Sequence, residues 1–293
     1  MPDDVFTPRP AGDHRVAPTT VAEQRPVLWI ALGRQRVGKT VLLSAAAQFF
    51  RARGAPLEIW NADQQNRSHS LSRFFADAQA PDGEGGLLDG RDWIVERVDD
   101  LAARGGPDRP RGAVLDIGGG FTGFSTLVDR VPLAELLAAA GVRPVALFVV
   151  GPEQADLDYL EHFAADGRFL PEATAIVLNE GLVEEGRSAS RAYARALEHR
   201  AVNAAIRRGA RVVSFPVLGC VSQLADPGLT YEAVLRGEYG PGQSRLGLFA
   251  TAEVRRFWSR DLPRFFGRFP PEWLPCPVGG TLDVSGAAEG GTP

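Results

Sequence analysis

Short apolar runs alternate with longer stretches of helical spacing along most of this chain. The runs are four to six residues long and bounded by Gly, Pro or Arg, which is typical of strands buried on both faces. The predicted strands are Val27–Leu32, Leu57–Asn61, Ala113–Asp116, Val145–Val150, Thr174–Leu178 and Arg211–Phe215. The predicted helices are Lys39–Arg53, Leu127–Ala140, Gln154–Phe163 and Ser188–Arg208. This alternation predicts an α/β fold with a doubly wound, mostly parallel sheet and helices on both faces.

The two ends of the chain differ in composition from its middle. Residues 1–25 are polar and Pro-rich, and residues 278–293 are rich in Gly, Ala and Thr. Such compositions predict a flexible leader and a disordered tail. Residues 26–277 form one predicted domain, in which the Gly- and Asp-rich residues at about 80–111 make an excursion between the second and third strands.

Composition and charge narrow the class of protein. The net charge of -4 argues against a protein that coats nucleic acid through its overall charge, although a local basic patch remains open. Cys220 and Cys276 are the only cysteines, so neither a disulfide framework nor a classical zinc site is expected. No apolar run approaches the roughly 18 residues of a membrane-spanning helix. We therefore expect a cytoplasmic protein without a membrane span.

The segment Gly33–Thr40 carries the strongest chemical motif. It reads GRQRVGKT, which fits the phosphate-binding pattern G-x-x-x-x-G-K-[ST], and it lies between a predicted strand and a predicted helix. Lys39 is the only lysine in the chain, at the position where a compact ammonium must reach the β- and γ-phosphates. Backbone N–H groups at the helix N-terminus would cradle the phosphates, and the Thr40 hydroxyl would bind Mg²⁺. We expect the cradle to comprise Gly33, Arg34, Gln35, Arg36, Val37, Gly38, Lys39, Thr40 and Val41.

A second acidic site follows the third predicted strand. Asp116 ends this strand and precedes Ile117 and three glycines. A carboxylate at the carboxyl end of a strand beside the phosphate loop is well placed to bind Mg²⁺. Gly118 would allow the backbone to approach the γ-phosphate closely. The alternative is an ordinary Gly-rich turn that begins with an aspartate.

Taken in order, these motifs resemble the ParA/MinD branch of P-loop ATPases. The resemblance rests on V-G-K-T, on D-x-D-P-Q-like residues from Asn61 to Asn66, and on a strand that ends in Asp116 before small residues. It covers about Val27 to Gly219, and it is closest to the plasmid-partition and conjugal-transfer proteins. It implies ATP or ADP with Mg²⁺, an ATP-dependent homodimer, and an unidentified partner or cargo protein.

The resemblance also implies roles for residues outside the phosphate loop. Asp63 matches the second Asp of D-x-D-P-Q and would orient the attacking water or the outer Mg²⁺ shell. Asn61 stands at the first Asp and cannot accept a proton, so we expect slow hydrolysis. Asn179 matches the asparagine that contacts adenine, and Pro216 and Val217 match the loop that flanks the base.

The phosphate loop departs from the family pattern at three positions. Arg34, Gln35 and Arg36 stand where the family has Lys-Gly-Gly, whose lysine reaches the partner subunit's phosphates. We expect Arg34 to act across a dimer interface as an arginine finger, and we therefore assign catalytic roles to Lys39, Asp63 and Arg34. The alternative is that Arg34 and Arg36 are solvated surface charges.

Two basic segments are candidates for partner contacts. Arg187, Arg191, Arg195 and His199 recur every four residues and would share one helix face, which suits non-specific DNA binding or a solvated surface. The segment 254–268 interleaves arginines with aromatic residues. It would either meet nucleic acid or a membrane interface, or pack its aromatic side chains on the core. Pro263 is expected to break the helix there.

Two other functions compete with a ParA/MinD-like switch. A P-loop ligase or kinase acting on a small molecule, such as a dethiobiotin-synthetase-like enzyme, would use the same loop and hold its substrate with Arg34, Arg36 or His69. A regulatory protein that binds nucleotide without hydrolysing it would account for Asn61 and for the substituted glycines. Cargo and partner identity are not encoded in any motif of the chain.

Overall fold

A computed structural model of the chain describes residues 25–63, 70–81, 87–103, 112–118, 122–165, 169–240 and 242–276. Nearly all of the predicted leader and tail lie outside these ranges. So do Gln64 to Asn66, His69 and the glycines 119 and 120. Within the predicted excursion, the structure describes one long helix, α2.

Six parallel strands form a single sheet in the order β2-β3-β1-β4-β5-β6. The strands are β1 Val27–Leu32, β2 Leu57–Asn61, β3 Gly112–Asp116, β4 Arg143–Val150, β5 Ala173–Asn179 and β6 Arg211–Phe215. All six predicted strands are therefore confirmed, three of them with ends that extend further than predicted. Because β1 lies between β3 and β4, the chain switches sides of the sheet at β1, and crevices for ligands form at the carboxyl ends of strands at such a point.

Helices cover both faces of the sheet, which confirms the predicted three-layer α/β/α fold. They are α1 Lys39–Arg51, α2 Leu87–Ala103, α3 Thr122–Arg130, α4 Leu133–Ala139, α5 Gln154–Ala165, α6 Ala189–Ala192, α7 Ala194–Glu198, α8 Arg200–Arg207, α9 Val221–Ala225, α10 Tyr231–Arg236, α11 Leu248–Arg256 and α12 Leu262–Phe266. Short 3₁₀ turns lie at Leu71–Arg73, Glu180–Leu182 and Pro271–Trp273. Among the described residues, no helix has the length and apolar character needed to cross a membrane.

The side chains of β1 show how the sheet divides the core. Trp29 points into one apolar layer with α1 and α9–α12, whereas Leu28 and Ile30 point into the other with α2–α8. This alternation follows from the two-residue period of a strand. Since both layers are apolar, every residue of β1 is buried, and the carboxyl end of β1 holds the phosphate loop on a rigid base.

Two helix predictions were wrong because local breaks interrupt them. The predicted helix Leu127–Ala140 is split into α3 and α4 at Pro132, whose ring removes a backbone donor and restricts the preceding residue. The predicted helix Ser188–Arg208 is split into α6, α7 and α8. His199 is extended there and its ring nitrogen accepts a hydrogen bond from the Ala201 N–H, so it caps α8 instead of continuing α7.

This break overturns the predicted single basic face. Arg187 precedes α6, Arg191 lies in α6, Arg195 lies in α7, and His199 caps α8. The three arginines are exposed, but they belong to separate elements. The spacing of four residues therefore does not align them on one helix.

The Arg- and aromatic-rich segment 254–268 packs its aromatic side chains on the core. Phe257, Trp258, Phe265 and Phe266 are buried in the layer that contains α1, and the Phe266 ring lies 4.6 Å from that of Phe49. The arginines of the segment are exposed. This outcome confirms the alternative of core packing for the aromatic residues.

The expectation that Pro263 breaks this helix was wrong. The chain passes from α11 into α12 through a π-helical turn, Phe257–Asp261, and Pro263 lies in the first turn of α12. A π-helical turn shifts the backbone hydrogen-bond pattern, and a proline is tolerated in a first helical turn because no donor is needed there. The helix therefore continues past the proline.

Candidate nucleotide site

The phosphate loop connects the carboxyl end of β1 to the first turn of α1, and close packing explains its two motif glycines. A Cβ on Gly33 would lie 2.4 Å from the Val149 carbonyl oxygen, and one on Gly38 would lie 2.3 Å from the Asn179 side-chain nitrogen. Gly33 and Gly38 also have φ values of 146° and 95°. Only glycine combines such backbone angles with such close contacts. The motif spacing therefore corresponds to a loop that depends on both glycines.

Lys39 is buried and folds back over this loop. Its Nζ donates hydrogen bonds to the carbonyl oxygens of Gly33, at 2.9 Å, and of Arg34, at 2.8 Å. Burial lowers the pKa of Lys39, and the negative charges of Asp116 and Asp63 oppose that shift. The ammonium group is thus held by two loop carbonyls, which phosphate oxygens would replace as its partners.

Thr40 and Asp116 meet where α1 begins and β3 ends. The Thr40 hydroxyl donates a hydrogen bond of 2.7 Å to Asp116 Oδ2. Asp116 is fully buried, and burial raises its pKa to about 6, while Thr40 and Lys39 act in the opposite direction. Its other oxygen, Oδ1, is buried and has no hydrogen-bond partner in the described part of the chain. A hydroxyl beside a buried, unpartnered carboxylate oxygen is a donor set that fits Mg²⁺.

Asp63 lies beside Gly118, opposite the loop. A Cβ on Gly118 would be 2.5 Å from Asp63 Oδ1, so the glycine leaves room for this carboxylate. The charge of Asp63 also opposes the lowering of the Lys39 pKa and adds to the raising of the Asp116 pKa. The structure therefore brings together Lys39, Asp63, Asp116 and Gly118, which the sequence had placed in three separate segments.

Asn61 has a structural role at the end of β2. Its side-chain nitrogen donates to Ser72 Oγ at 3.0 Å, and its side-chain oxygen accepts a hydrogen bond from the Asp63 N–H at 3.3 Å. Asn61 thereby fixes the turn that carries Asp63. Across the described residues, no group of three or more His, Cys, Asp and Glu side chains is arranged to hold a metal ion. A Mg²⁺ ion held by Thr40 and Asp116 would complete its coordination with phosphate oxygens and water.

Arg34 is half-buried and pairs within its own chain. Its guanidinium lies 3.2 Å from Glu153 and 3.3 Å from Asp156, at the N-terminal end of α5. Neither of these acidic residues was among the predicted site residues. The available signal was their position directly after β4, at the same sheet edge as the loop. The predicted reach of Arg34 to a second subunit stays a prediction.

Asn179, at the end of β5, contacts the loop directly. Its side-chain nitrogen donates to the Val37 carbonyl at 2.8 Å, and its side-chain oxygen accepts from the Gly181 N–H at 3.0 Å. Pro216 and Val217 follow β6 at the same edge of the sheet, and Val217 is 42% exposed. Their predicted contacts with adenine stay predictions, but all three lie at the carboxyl edge that carries the loop.

The remaining residues of the predicted phosphate cradle differ in their exposure to solvent. Gln35 and Arg36 are exposed, Val37 is buried, and Val41 is partly buried. Arg36 has a left-handed backbone with φ of 65°, in a position where the family pattern has glycine. The loop therefore holds an arginine in a backbone conformation that favours glycine, and this strains the backbone.

No protein-family model matches the chain, and no curated protein matches it. Among solved structures, the MinD cell division protein of Aquifex aeolicus is similar over 79% of this chain and 96% of that one, at 13% sequence identity and a TM-score of 0.41. A likeness at this level carries no argument about function. The chain itself shows a parallel six-stranded sheet between two layers of helices, with the Gly33–Thr40 loop at the carboxyl end of β1.

Proposed function

We propose that this protein is a ParA/MinD-like switch ATPase, which binds ATP with Mg²⁺ and hydrolyses it slowly. The observation that carries the proposal is the meeting of Lys39, Thr40, Asp116 and Asp63 at the carboxyl ends of β1, β2 and β3. A phosphate loop, a hydroxyl and two carboxylates form the set that phosphoryl-transfer sites of this class use. The nucleotide-driven protein would act in plasmid or DNA partition, conjugal transfer or cargo positioning.

Different groups of the loop would bind the phosphates and the metal ion. Backbone N–H groups at the start of α1 would bind the phosphate oxygens, helped by the positive end of the helix. Lys39 would exchange its two carbonyl partners for β- and γ-phosphate oxygens. Thr40 and Asp116 would hold Mg²⁺, which neutralises negative charge on the phosphates when bound.

Slow hydrolysis is supported by the two residues that follow β2. Asp63 is placed beside Gly118, where it would orient the attacking water. Asn61 cannot accept a proton, and its amide is occupied by Ser72 and by the Asp63 N–H. The site therefore has one carboxylate at this position instead of two, as suits a switch with a long-lived ATP state.

The proposed switch would work through the backbone around Gly118. This glycine lies beside Asp63 and two residues after Asp116, so the γ-phosphate would order the turn and its loss would release it. We propose that the ordered turn favours a homodimer in the cytoplasm, and that the dimer binds a partner or cargo protein. Non-specific DNA contact through Arg187, Arg191 and Arg195 would require surfaces from separate elements.

Light scattering of the purified protein tests this proposal. The molecular mass of the protein should double with ATP or a non-hydrolysable analogue. With ADP it should remain that of the monomer, with DNA present or absent. Lys39→Ala should abolish the change, whereas Arg268→Ala, which removes an exposed charge, should leave it intact. A constant mass with every nucleotide would rule out the dimer switch, and ATP turnover that depends on a small substrate in the monomer would favour a ligase or kinase instead.

A further inference from the structure

The N-terminal part of α5 contacts the first two residues of the phosphate loop. Three side chains make this contact, and we call Glu153, Asp156 and Tyr159 the α5 clamp. Burial raises the pKa of Tyr159 to about 12 and the Gly33 backbone beside its hydroxyl opposes this shift, while the Arg34 guanidinium pairs with the two carboxylates. Gly33 therefore lies against α5, and Arg34 is bonded to it, although this helix lies outside the phosphate-binding motif.

Asp156 is the buried centre of the clamp. Its side chain is only 4% exposed, and its Oδ2 accepts a hydrogen bond of 3.0 Å from the Gly151 N–H at the end of β4. Its Oδ1 accepts from Arg34 at 3.3 Å. Burial raises the pKa of Asp156, and the charge of Arg34 opposes this shift. Without the guanidinium, the carboxylate would be a buried charge with a single backbone donor, which is unfavourable.

The clamp is connected to Lys39 through the backbone. The carbonyl oxygens that hold the Lys39 ammonium belong to Gly33 and Arg34, the same two residues that α5 holds. These residues are thus fixed on one side by α5 and bind the catalytic cation on the other. A shift of Arg34 away from Asp156 would move the carbonyls that set the position of Lys39.

We propose that Arg34 is a positioning residue that acts within its own chain. It holds the first turn of the phosphate loop against α5 through Asp156, so that the loop and Lys39 are shaped for phosphates before nucleotide arrives. This inference rests on the proposed nucleotide binding and assigns Arg34 a different task from that of an arginine finger. A finger would have to leave Asp156 behind as an unpaired buried charge.

A double-mutant cycle in ADP and ATP affinity tests the contact. Asp156→Asn keeps an oxygen for the Gly151 N–H and turns an amide N–H toward Arg34, so it breaks the pair with little change in shape. Arg34→Ala and Asp156→Asn should each weaken binding about tenfold, and the double variant should be no weaker than either one. Arg34→Lys keeps a cation beside Asp156 and should recover most of the affinity. As a matched control, Glu135→Gln alters an exposed carboxylate of α4 that is not part of the clamp and should change affinity less than twofold.

Kinetics and subunit mixing separate this role from a finger and from a purely structural role. If Arg34 acts in its own chain, Arg34→Ala should raise the KM for ATP and leave kcat within about threefold, because binding rather than the transition state is affected. Mixing Arg34→Ala with Asp63→Ala should give no activity beyond the sum of the two variants measured separately. A finger would lower kcat about a thousandfold and would be complemented in the mixture.

The outcomes distinguish the inference from the function on which it rests. Additive effects in the cycle, or recovery of activity on mixing, would overturn the role of Arg34 while nucleotide binding by the wild type stands. A wild type that binds no nucleotide would overturn the proposed function and, with it, this role. Thermal unfolding of each variant checks that loss of affinity is not loss of the fold.

Discussion

Replacing Arg36 by glycine should stabilise the folded protein. Arg36 is exposed, and its φ of 65° places it in the left-handed region, where a residue with a Cβ pays roughly 1–2 kcal/mol. Glycine removes that strain but adds freedom to the unfolded chain, which costs about 0.4–1 kcal/mol. The net expectation is a gain of about 0.5–1 kcal/mol in the free energy of unfolding.

Equilibrium urea denaturation measures this gain, with Arg36→Ala as the matched control. Alanine removes the same charge and side chain but keeps the Cβ, so it retains the strain and should change stability by less than about 0.5 kcal/mol. The comparison of glycine with alanine therefore isolates the backbone contribution. Equal stabilities for the two variants, or a glycine variant less stable than wild type, would refute the argument that this loop stores strain at Arg36.

Three further predictions concern the core and the metal site. Phe266→Ala should cost about 3–5 kcal/mol in urea denaturation because Phe266 is fully buried, whereas Phe249→Ala should cost less than about 0.5 kcal/mol because Phe249 is 89% exposed. Thr40→Val should weaken nucleotide binding with Mg²⁺ at least tenfold and leave binding in EDTA within about threefold, as titration in both conditions would show; equal losses in both would contradict a metal role. In protein free of metal and nucleotide, the raised pKa of Asp116, about 6, means that its contribution to stability is lost as pH rises through that value. In unfolding experiments, the stability of Asp116→Asn relative to the wild type should therefore increase as pH rises from 5 to 8. A stability difference that does not change with pH would contradict this.

The sheet could be predicted because its signal is local. Each strand is an apolar run with sharp ends, and burial on both faces leaves such a run no other stable environment. One error in strand limits occurred at Arg143, a polar residue that extends β4 and donates a hydrogen bond to the backbone carbonyl of Glu272, 129 residues later in the sequence. Periodicity contains no information about such distant partners.

The break after α6 could not be predicted from helical spacing because it depends on a tertiary contact. Tyr193 ends α6, where its buried hydroxyl donates to the Asn179 carbonyl oxygen at 2.6 Å, across 14 residues of sequence. His199 turns the chain by capping α8. The helical spacing of the arginines around Tyr193 and His199 does not indicate either contact. The same is true of the π-helical turn before Pro263, which depends on packing of Phe257 and Trp258.

The candidate site could be predicted in part. The loop, Thr40 and Asp116 follow from a motif of fixed spacing and from the rule that ligands bind at the carboxyl ends of parallel strands. The partners of Arg34 could not be predicted, because Glu153 and Asp156 lie more than a hundred residues away in sequence. The unpartnered oxygen of Asp116 likewise depends on burial that no motif specifies.

Nucleotide binding by the wild-type protein is the most direct test of the central claim. Isothermal titration with ATP and Mg²⁺ should show one saturable site per chain, weakened at least a hundredfold in Lys39→Ala. Arg268→Ala, which removes an exposed positive charge instead, should bind as the wild type does. No binding by the wild type, or equal binding by Lys39→Ala, would contradict the account.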